Sequence, residues 1–301
     1  MFKTFPEFSK LTLADREEYE SFIKDYPPVA DISFGSLMTW WNELHPVKVA
    51  QLNGNLVIQY WSHEDERNSG LSLVGINKVD ESICEIFDYL RSHDFPVRLA
   101  NVPNFVIDHV AYPGMFNFRE QRDHQEYVLD LNKFYPIDKL IWFRRKKVER
   151  QLKQFADVRT RQLDFSNEDN LKLVLDMVDE SWNMNMTNFG KLEQRALRAS
   201  VLYSSSLGFK NVCLFVNGSL QGVCIYQSPP DKDFVILHHF KAGSTNLADY
   251  ELMAHKFAEW FISQGARLIN VNTDAGLVRL RMFMLALGPV DFFRKHVVEP
   301  A

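Results

Sequence analysis

The sequence predicts a mixed α/β protein built from two similar halves, and three features of its residues carry that prediction. Both halves hold two apolar segments joined by Asn-Gly: 47–52 and 56–61 around Asn53-Gly54, then 212–216 and 220–227 around Asn217-Gly218. A two-residue type I′ turn needs positive φ at both central positions, which Asn and Gly tolerate, so each pair reads as a β-hairpin. Each hairpin is followed by strand, helix and strand in that order. The closing strands share a pattern, Arg98-Leu99-Ala100-Asn101-Val102 and Arg267-Leu268-Ile269-Asn270-Val271. Short matches in the same order point to an internal duplication.

Residues 6–23 read as an entry and an acidic helix through Asp15-Arg16-Glu17-Glu18-Tyr19, and 32–41 bring Phe34, Trp40 and Trp41 to a first core. After the first hairpin come a strand at 71–74, a helix at 79–92 with Ile83, Ile86, Phe87 and Leu90 at helical spacing, and a strand at 97–102. No proline interrupts 137–155, so a continuous helix is expected there, with Leu140, Phe143, Val148, Leu152 and Phe155 available for an apolar face. A helical region with Trp182 leads to the second hairpin, a strand at 234–240, a helix at 247–263 stopped by Gly265, and a strand from Arg267. The stretch 268–289 then reads as strand, turn and helix, with Asn272-Thr273-Asp274-Ala275-Gly276 at the turn and Arg279 and Arg281 on the helix. The expected division is 1–136, a basic connecting helix at 137–156, and 157–301.

At 301 residues, 46% hydrophobic and 24% charged, the chain is long enough for two cores. A net charge of −5 argues against a protein that coats nucleic acid, so phosphate binding should be local. The one dense basic patch is the 137–155 helix. Arg144, Arg145, Lys146, Lys147 and Arg150 there suit the phosphates of tRNA or of an anionic lipid surface; the plainer alternative is a solvated face partly answered by Asp138, Glu149 and Asp157. No apolar run approaches the ~20 residues of a membrane span, and the start lacks a signal-type apolar core, so a cytoplasmic, at most membrane-peripheral, location is expected. Cys84, Cys213 and Cys224 have no metal-ligand spacing, which leaves no metal site in prospect and reduced thiols as the expectation.

Ligands gather at the carboxyl ends of strands in α/β folds, and Asp274 stands at such an end. It is the first candidate to accept a proton, with His238 or His239 next. Side chains alternate along a strand, so only His239 can share a face with Lys241. Lys241, Arg279 and Arg281 are candidate anchors for phosphate or carboxylate, with Asn270 and Asn272 lining the same turn. The plainer alternatives are a helix cap at Asp274, solvated arginines and core histidines. No Walker loop, dinucleotide fingerprint, His-Glu-x-x-His or nucleophile elbow is present, and no cofactor is expected.

The order helix, hairpin, strand, helix, strand, helix is that of the GNAT acyltransferase fold. Over nearly its whole length the chain resembles the soluble C-terminal domain of bacterial phosphatidylglycerol lysyltransferases. Ser33, Phe34, Leu37 and Trp40 match that family's Ser-Phe-x-x-Leu-x-x-Trp, and Glu126-Tyr127-Val128-Leu129 before the basic helix resembles its Tyr-rich strand. Asn270, Asp274, Gly276, Leu280 and Arg281 match its Asn-x-Glu-x-Asp-x-Gly-x-x-x-Leu-Arg, with Asn272 where Glu is expected. Further departures are Phe240-Lys241-Ala242 for Glu-Lys-Ala, Met284 for a Lys, and Val148-Glu149-Arg150 for Lys-Arg-Asn. The resemblance implies two tandem GNAT-like domains with the site in the second, and it favours Arg281 as anchor. It also implies transfer of an aminoacyl group from aminoacyl-tRNA to an amine or hydroxyl acceptor such as a lipid or peptide. The Gln/Arg-x-x-Gly-x-Gly/Ala loop that cradles the pyrophosphate of CoA is missing, which places aminoacyl-tRNA ahead of acyl-CoA as donor. The alternatives are a CoA-dependent N-acyltransferase and a non-catalytic binding protein that has kept the fold while losing charged site positions.

Overall fold

The computed structural model describes residues 2–40, 46–60, 70–181, 188–229, 233–243 and 250–301. The expectations at Trp41, Trp61, Trp182 and 247–249 lie outside the described residues. In chain order the elements are β1 (Ser9–Lys10), α1 (Arg16–Ile23), α2 (Phe34–Trp40), β2 (Lys48–Leu52), β3 (Asn55–Tyr60), β4 (Gly70–Val74), α3 (Val79–Ser92), β5 (Leu99–Pro103), α4 (Asn104–Ile107) and β6 (Phe116–Glu120). There follow β7 (Glu126–Asp130), α5 (Trp142–Gln154), β8 (Val158–Arg161), α6 (Glu168–Ser181), α7 (Asn188–Leu202), α8 (Ser204–Leu207), β9 (Lys210–Val216) and β10 (Ser219–Gln227). The chain closes with β11 (Phe234–Ala242), α9 (Tyr250–Ser263), β12 (Leu268–Thr273), α10 (Val278–Ala286), β13 (Asp291–Phe293) and β14 (Lys295–Pro300). Both hairpin turns have positive φ at both central residues, 53° and 79° at Asn53-Gly54 and 49° and 83° at Asn217-Gly218, as the Asn-Gly pairs require.

The chain forms two compact units. The first holds Met1–Tyr127, Thr273–Leu287 and Asp291–Ala301, and the second Val128–Asn272 and Gly288–Val290. In the first, the sheet runs β1-β2-β3-β4-β5-β14-β6. Only β4 and β5 are parallel; α3 covers the sheet with Val79, Ile83, Ile86, Phe87 and Leu90, packed with Leu73, Val102 and Val298. In the second, the order is β7-β12-β11-β10-β9-β8, and β11 and β12 are the parallel pair. The module hairpin, strand, helix, strand thus recurs with the same strand order and the same sense, so both units are GNAT-like mixed sheets.

The units are not the contiguous halves expected. The strand β14, from the end of the chain, pairs antiparallel with both β5 and β6, and Val128–Asp130 of β7 belongs to the second unit, where Leu131 N–H bonds to the Arg267 carbonyl at 2.9 Å. Each sheet is completed by a strand from the other half of the sequence, because a parallel pair leaves an open edge whose N–H and C=O groups need a partner. The helix expected over 137–155 starts at Trp142, since Leu140 and Ile141 are extended (ψ 139° and 148°) after a 3₁₀ turn at Ile137–Lys139. It belongs to the second unit and is no separate connector: Val148 and Gln151 face inward and Lys147 bonds to Glu251 of α9 at 3.0 Å. No helix among the described residues is long and apolar enough to cross a membrane.

Candidate functional site

Where β12 ends, Asn272, Ala275 and Gly276 take positive φ (69°, 49° and 74°) and swing the chain toward α10. A Cβ on Gly276 would come within 3.3 Å of the Asp123 carboxyl group, so glycine suits the position twice over. The turn holds Asp274 fully buried in the first unit. Its Oδ1 accepts from the Gly276 N–H at 2.9 Å and from Arg281 Nη2 at 3.0 Å; its Oδ2 accepts from Arg281 Nε at 2.9 Å, Arg122 Nη1 at 3.2 Å and the Tyr127 hydroxyl. Arg281 also donates to Asp123, and Arg122 Nη2 donates to the Tyr127 oxygen at 2.9 Å. Tyr127 is wedged edge-on against Phe292, with ring centroids 5.5 Å apart.

A carboxylate offers about four lone-pair sites, and here five donors converge on it. Burial works to raise the Asp274 pKa, but hydrogen bonds from Arg281, Tyr127 and the Gly276 N–H outweigh it and draw it down to about 2. The Tyr127 hydroxyl moves the other way, raised by burial and by its bond to Asp274. Such a carboxylate stays ionised at neutral pH and is a poor base. Its suitable task is to hold two guanidinium groups in place, each still partly open to solvent: the side chains are 26% exposed at Arg281 and 36% at Arg122. Asp274 does not cap a helix, since α10 starts at Val278 with Leu277 at its N-cap. Arg279 is exposed, and two positions along a helix turn it roughly 200° from Arg281.

The other candidates fall in the second unit. His239 is buried, and its Nε2 lies 3.0 Å from Ser200 Oγ on α7. Ser200 gives its own proton to the Ala196 carbonyl at 2.8 Å, so His239 Nε2 donates to it, an arrangement opposite to a base activating a serine. Burial, with His238 and Lys241 nearby, depresses its pKa well below the usual range and keeps it neutral. Lys241 pairs with Glu193 of α7 at 2.9 Å, so His239 and Lys241 do face the same helix, as strand alternation predicts. His238 is separated from them by a register shift in the β10–β11 ladder and bonds to Gln227 at 2.9 Å. Asn270 is buried and accepts from the Asn272 N–H at 2.9 Å, while Asn272 Nδ2 donates to the Leu237 carbonyl at 3.1 Å, bridging β12 to β11 beyond their last paired residues.

On α5, Arg145 pairs with Glu149 at 2.8 Å, Lys146 approaches the same carboxylate at 3.9 Å, Arg144 lies over the Phe134 ring at 5.6 Å, and Arg150 is exposed. Arg122, Asp123 and Tyr127 were not among the sequence-derived site residues. Tyr127 lies inside the Glu126-Tyr127-Val128-Leu129 motif, and the polar run Gln121-Arg122-Asp123-His124 just before that strand was the available signal for the others.

Residues 29–283 match the family model for phosphatidylglycerol lysyltransferase, C-terminal. Among solved structures the chain is similar to a conserved protein of unknown function from Bacteroides thetaiotaomicron VPI-5482, with 21% identity and a TM-score of 0.82 over 98% of this chain and 99% of that one. It is also similar to L-PGS from Bacillus licheniformis, at 14% identity and a TM-score of 0.60 over 99% and 93% of the two chains. A tandem GNAT protein from the clavulanic acid biosynthesis pathway aligns at 11% identity and a TM-score of 0.51 over 97% of each. Identities this low speak to the fold, which is the tandem GNAT-like one. No curated protein matches the chain in sequence. With the family match spanning most of its length and including Ser33, Tyr127, Asp274 and Arg281, the chain belongs to the phosphatidylglycerol lysyltransferase C-terminal family.

Proposed function

We propose that the chain moves an aminoacyl group from aminoacyl-tRNA to a hydroxyl or amine of an acceptor such as a lipid or peptide. The observation that carries this reading is the half-open cluster in which Asp274 and Arg281, both family-motif positions, are joined to Arg122 and Tyr127. In the reaction, the acceptor oxygen or nitrogen attacks the ester carbonyl carbon, the bond from that carbon to the ribose oxygen breaks, and the nucleophile's proton ends on the departing ribose oxygen. Arg281 and Arg122 supply fixed positive charge and N–H donors to a phosphate, a carboxylate or the developing oxyanion. Asp274 is then a positioning residue, a change from the proton acceptor expected of it. Arg279, which leaves the helix on another side, stands outside this set.

The test supplies the purified chain with aminoacyl-tRNA or with acyl-CoA, and with phosphatidylglycerol or a short amine-bearing peptide, and identifies products by mass spectrometry. An aminoacyl ester or amide formed from the tRNA donor is the expected result. Product from the CoA thioester alone would replace the donor. A folded chain that forms no product with any pairing, and binds no tRNA at low salt, would leave the non-catalytic alternative standing.

A further inference from the structure

We infer that the first turn of α5 is a docking tip for an anionic lipid bilayer. The inference is independent of the transfer reading, since it concerns one surface of the second unit and no chemistry. Three consecutive residues at the helix start, Ile141, Trp142 and Phe143, are 54%, 73% and 50% exposed, and Trp142 is the most exposed large apolar side chain among the described residues. The helix has no inward place for them. Its buried stripe runs through Val148, Gln151 and Phe155, and the extended Leu140 and Ile141 set the tip at a corner where the chain turns into the helix.

Charge surrounds the tip. Between Lys139 and Gln154 there are seven cations and one carboxylate, Glu149. Three of the cations are paired, Arg145 and Lys146 with Glu149 and Lys147 with Glu251, in partly exposed bridges of the kind that contribute little and exchange for other anions. Lys139, Lys146, Arg150 and Lys153 are also exposed. The phosphate backbone of a duplex RNA would be met by cations alone, and a solvent-facing Ile-Trp-Phe run has nothing to do there. At a bilayer the two features belong together: Trp settles at headgroup level, Ile and Phe enter the acyl boundary, and Lys and Arg reach lipid phosphates along their apolar stems. The competing occupant is a single-stranded RNA base stacked on Trp142.

Cosedimentation with vesicles of phosphatidylcholine, and with vesicles of equimolar phosphatidylcholine and phosphatidylserine, tests the proposal without a donor present. Phosphatidylserine is anionic but is not the lipid of the family's name, so binding reads the surface and not the transfer site. The full chain is expected to bind the phosphatidylserine vesicles and not the neutral ones. The triple variant I141S/W142S/F143S should lose at least about tenfold in vesicle affinity. The variant K146Q/R150Q/K153Q should lose about fivefold per cation at low salt and little at high salt. Both should melt with the wild type, because the changed side chains are exposed, and the tip variant should bind tRNA as the wild type does. The proposal is overturned if the wild type ignores anionic vesicles or if the tip variant sediments like the wild type. It is also overturned if the tip variant loses tRNA affinity while keeping vesicle affinity, which would assign the tip to RNA.

Discussion

Lys295 and Asp274 are both fully buried charges of the first unit, and both are contributed by the last part of the chain, yet their surroundings differ. Lys295, the first residue of β14, donates to Glu126 at 2.6 Å and to Asp31, while Glu126 accepts the N–H groups of Ala30 at 2.7 Å and Asp31 at 3.0 Å. Lys295 and Glu126 have no solvent exposure at all. Around Asp274, two guanidinium groups are held by the carboxylate but still reach solvent. The buried Lys295–Glu126 pair holds β14 in its slot between β5 and β6, and its one solvent-reaching partner, Asp31 at 35% exposure, offers an anion and no donor side chain. The Asp274 cluster holds cationic donors where a ligand can meet them, and this is the physical ground for placing the candidate site there.

Breaking the buried Lys295–Glu126 pair should have the larger effect on stability. Lys295→Met leaves Glu126 buried without its counter-charge and should cost about 3–5 kcal/mol, lowering the melting temperature on the order of 10 °C. Adding Glu126→Gln should recover part of that loss. A single variant that melts within a degree or two of the wild type would show the pair to be dispensable and the contrast with Asp274 to be empty. Tyr127→Phe removes one hydrogen bond to Asp274 and one acceptor from Arg122, and should cost about 1 kcal/mol by denaturant titration.

The two clusters should also fail at opposite ends of the pH scale. Burial works to lower the Lys295 pKa, but Asp31 and Glu126 outweigh it and raise it. That stabilisation is complete below the unfolded value of about 10.4 and is lost as pH rises through the folded value. The Asp274 pKa is depressed to about 2, so its stabilisation is present above about pH 4 and is lost as pH falls toward 2. Asp274→Asn should therefore flatten the acid limb of a melting-temperature profile and leave the alkaline limb alone. The smallest effect belongs to the exposed Arg145–Glu149 pair: Glu149→Gln should leave the melting temperature unchanged within scatter.

The repeated module was legible because its signals are local. Asn-Gly turns, the apolar spacing of α3 and the strand-turn-helix at 268–286 each depend on neighbours in sequence. The exchange of β7 and β14 was not, since a strand of mixed composition does not say which distant open edge it will fill. For the same reason the candidate site was half legible. Asp274, Gly276 and Arg281 lie within one short motif, whereas Arg122 and Tyr127 reach Asp274, and Asp123 reaches Arg281, only through the fold. Alternation placed His239 and Lys241 on one face correctly, but it could not say that Ser200 and Glu193 of α7 occupy them. The basic character of α5 was read from composition, and its break before Trp142 depends on the backbone at Leu140 and Ile141.

The most direct test of the account is kcat/KM for aminoacyl transfer from tRNA in Arg281→Lys, measured beside its melting temperature. Lysine keeps the charge but cannot fork across both oxygens of Asp274 while also reaching Asp123. The account predicts a fall of about a hundredfold or more with melting within a few degrees of the wild type. Transfer at the wild-type rate would contradict it, and so would a loss of transfer that merely follows a loss of fold.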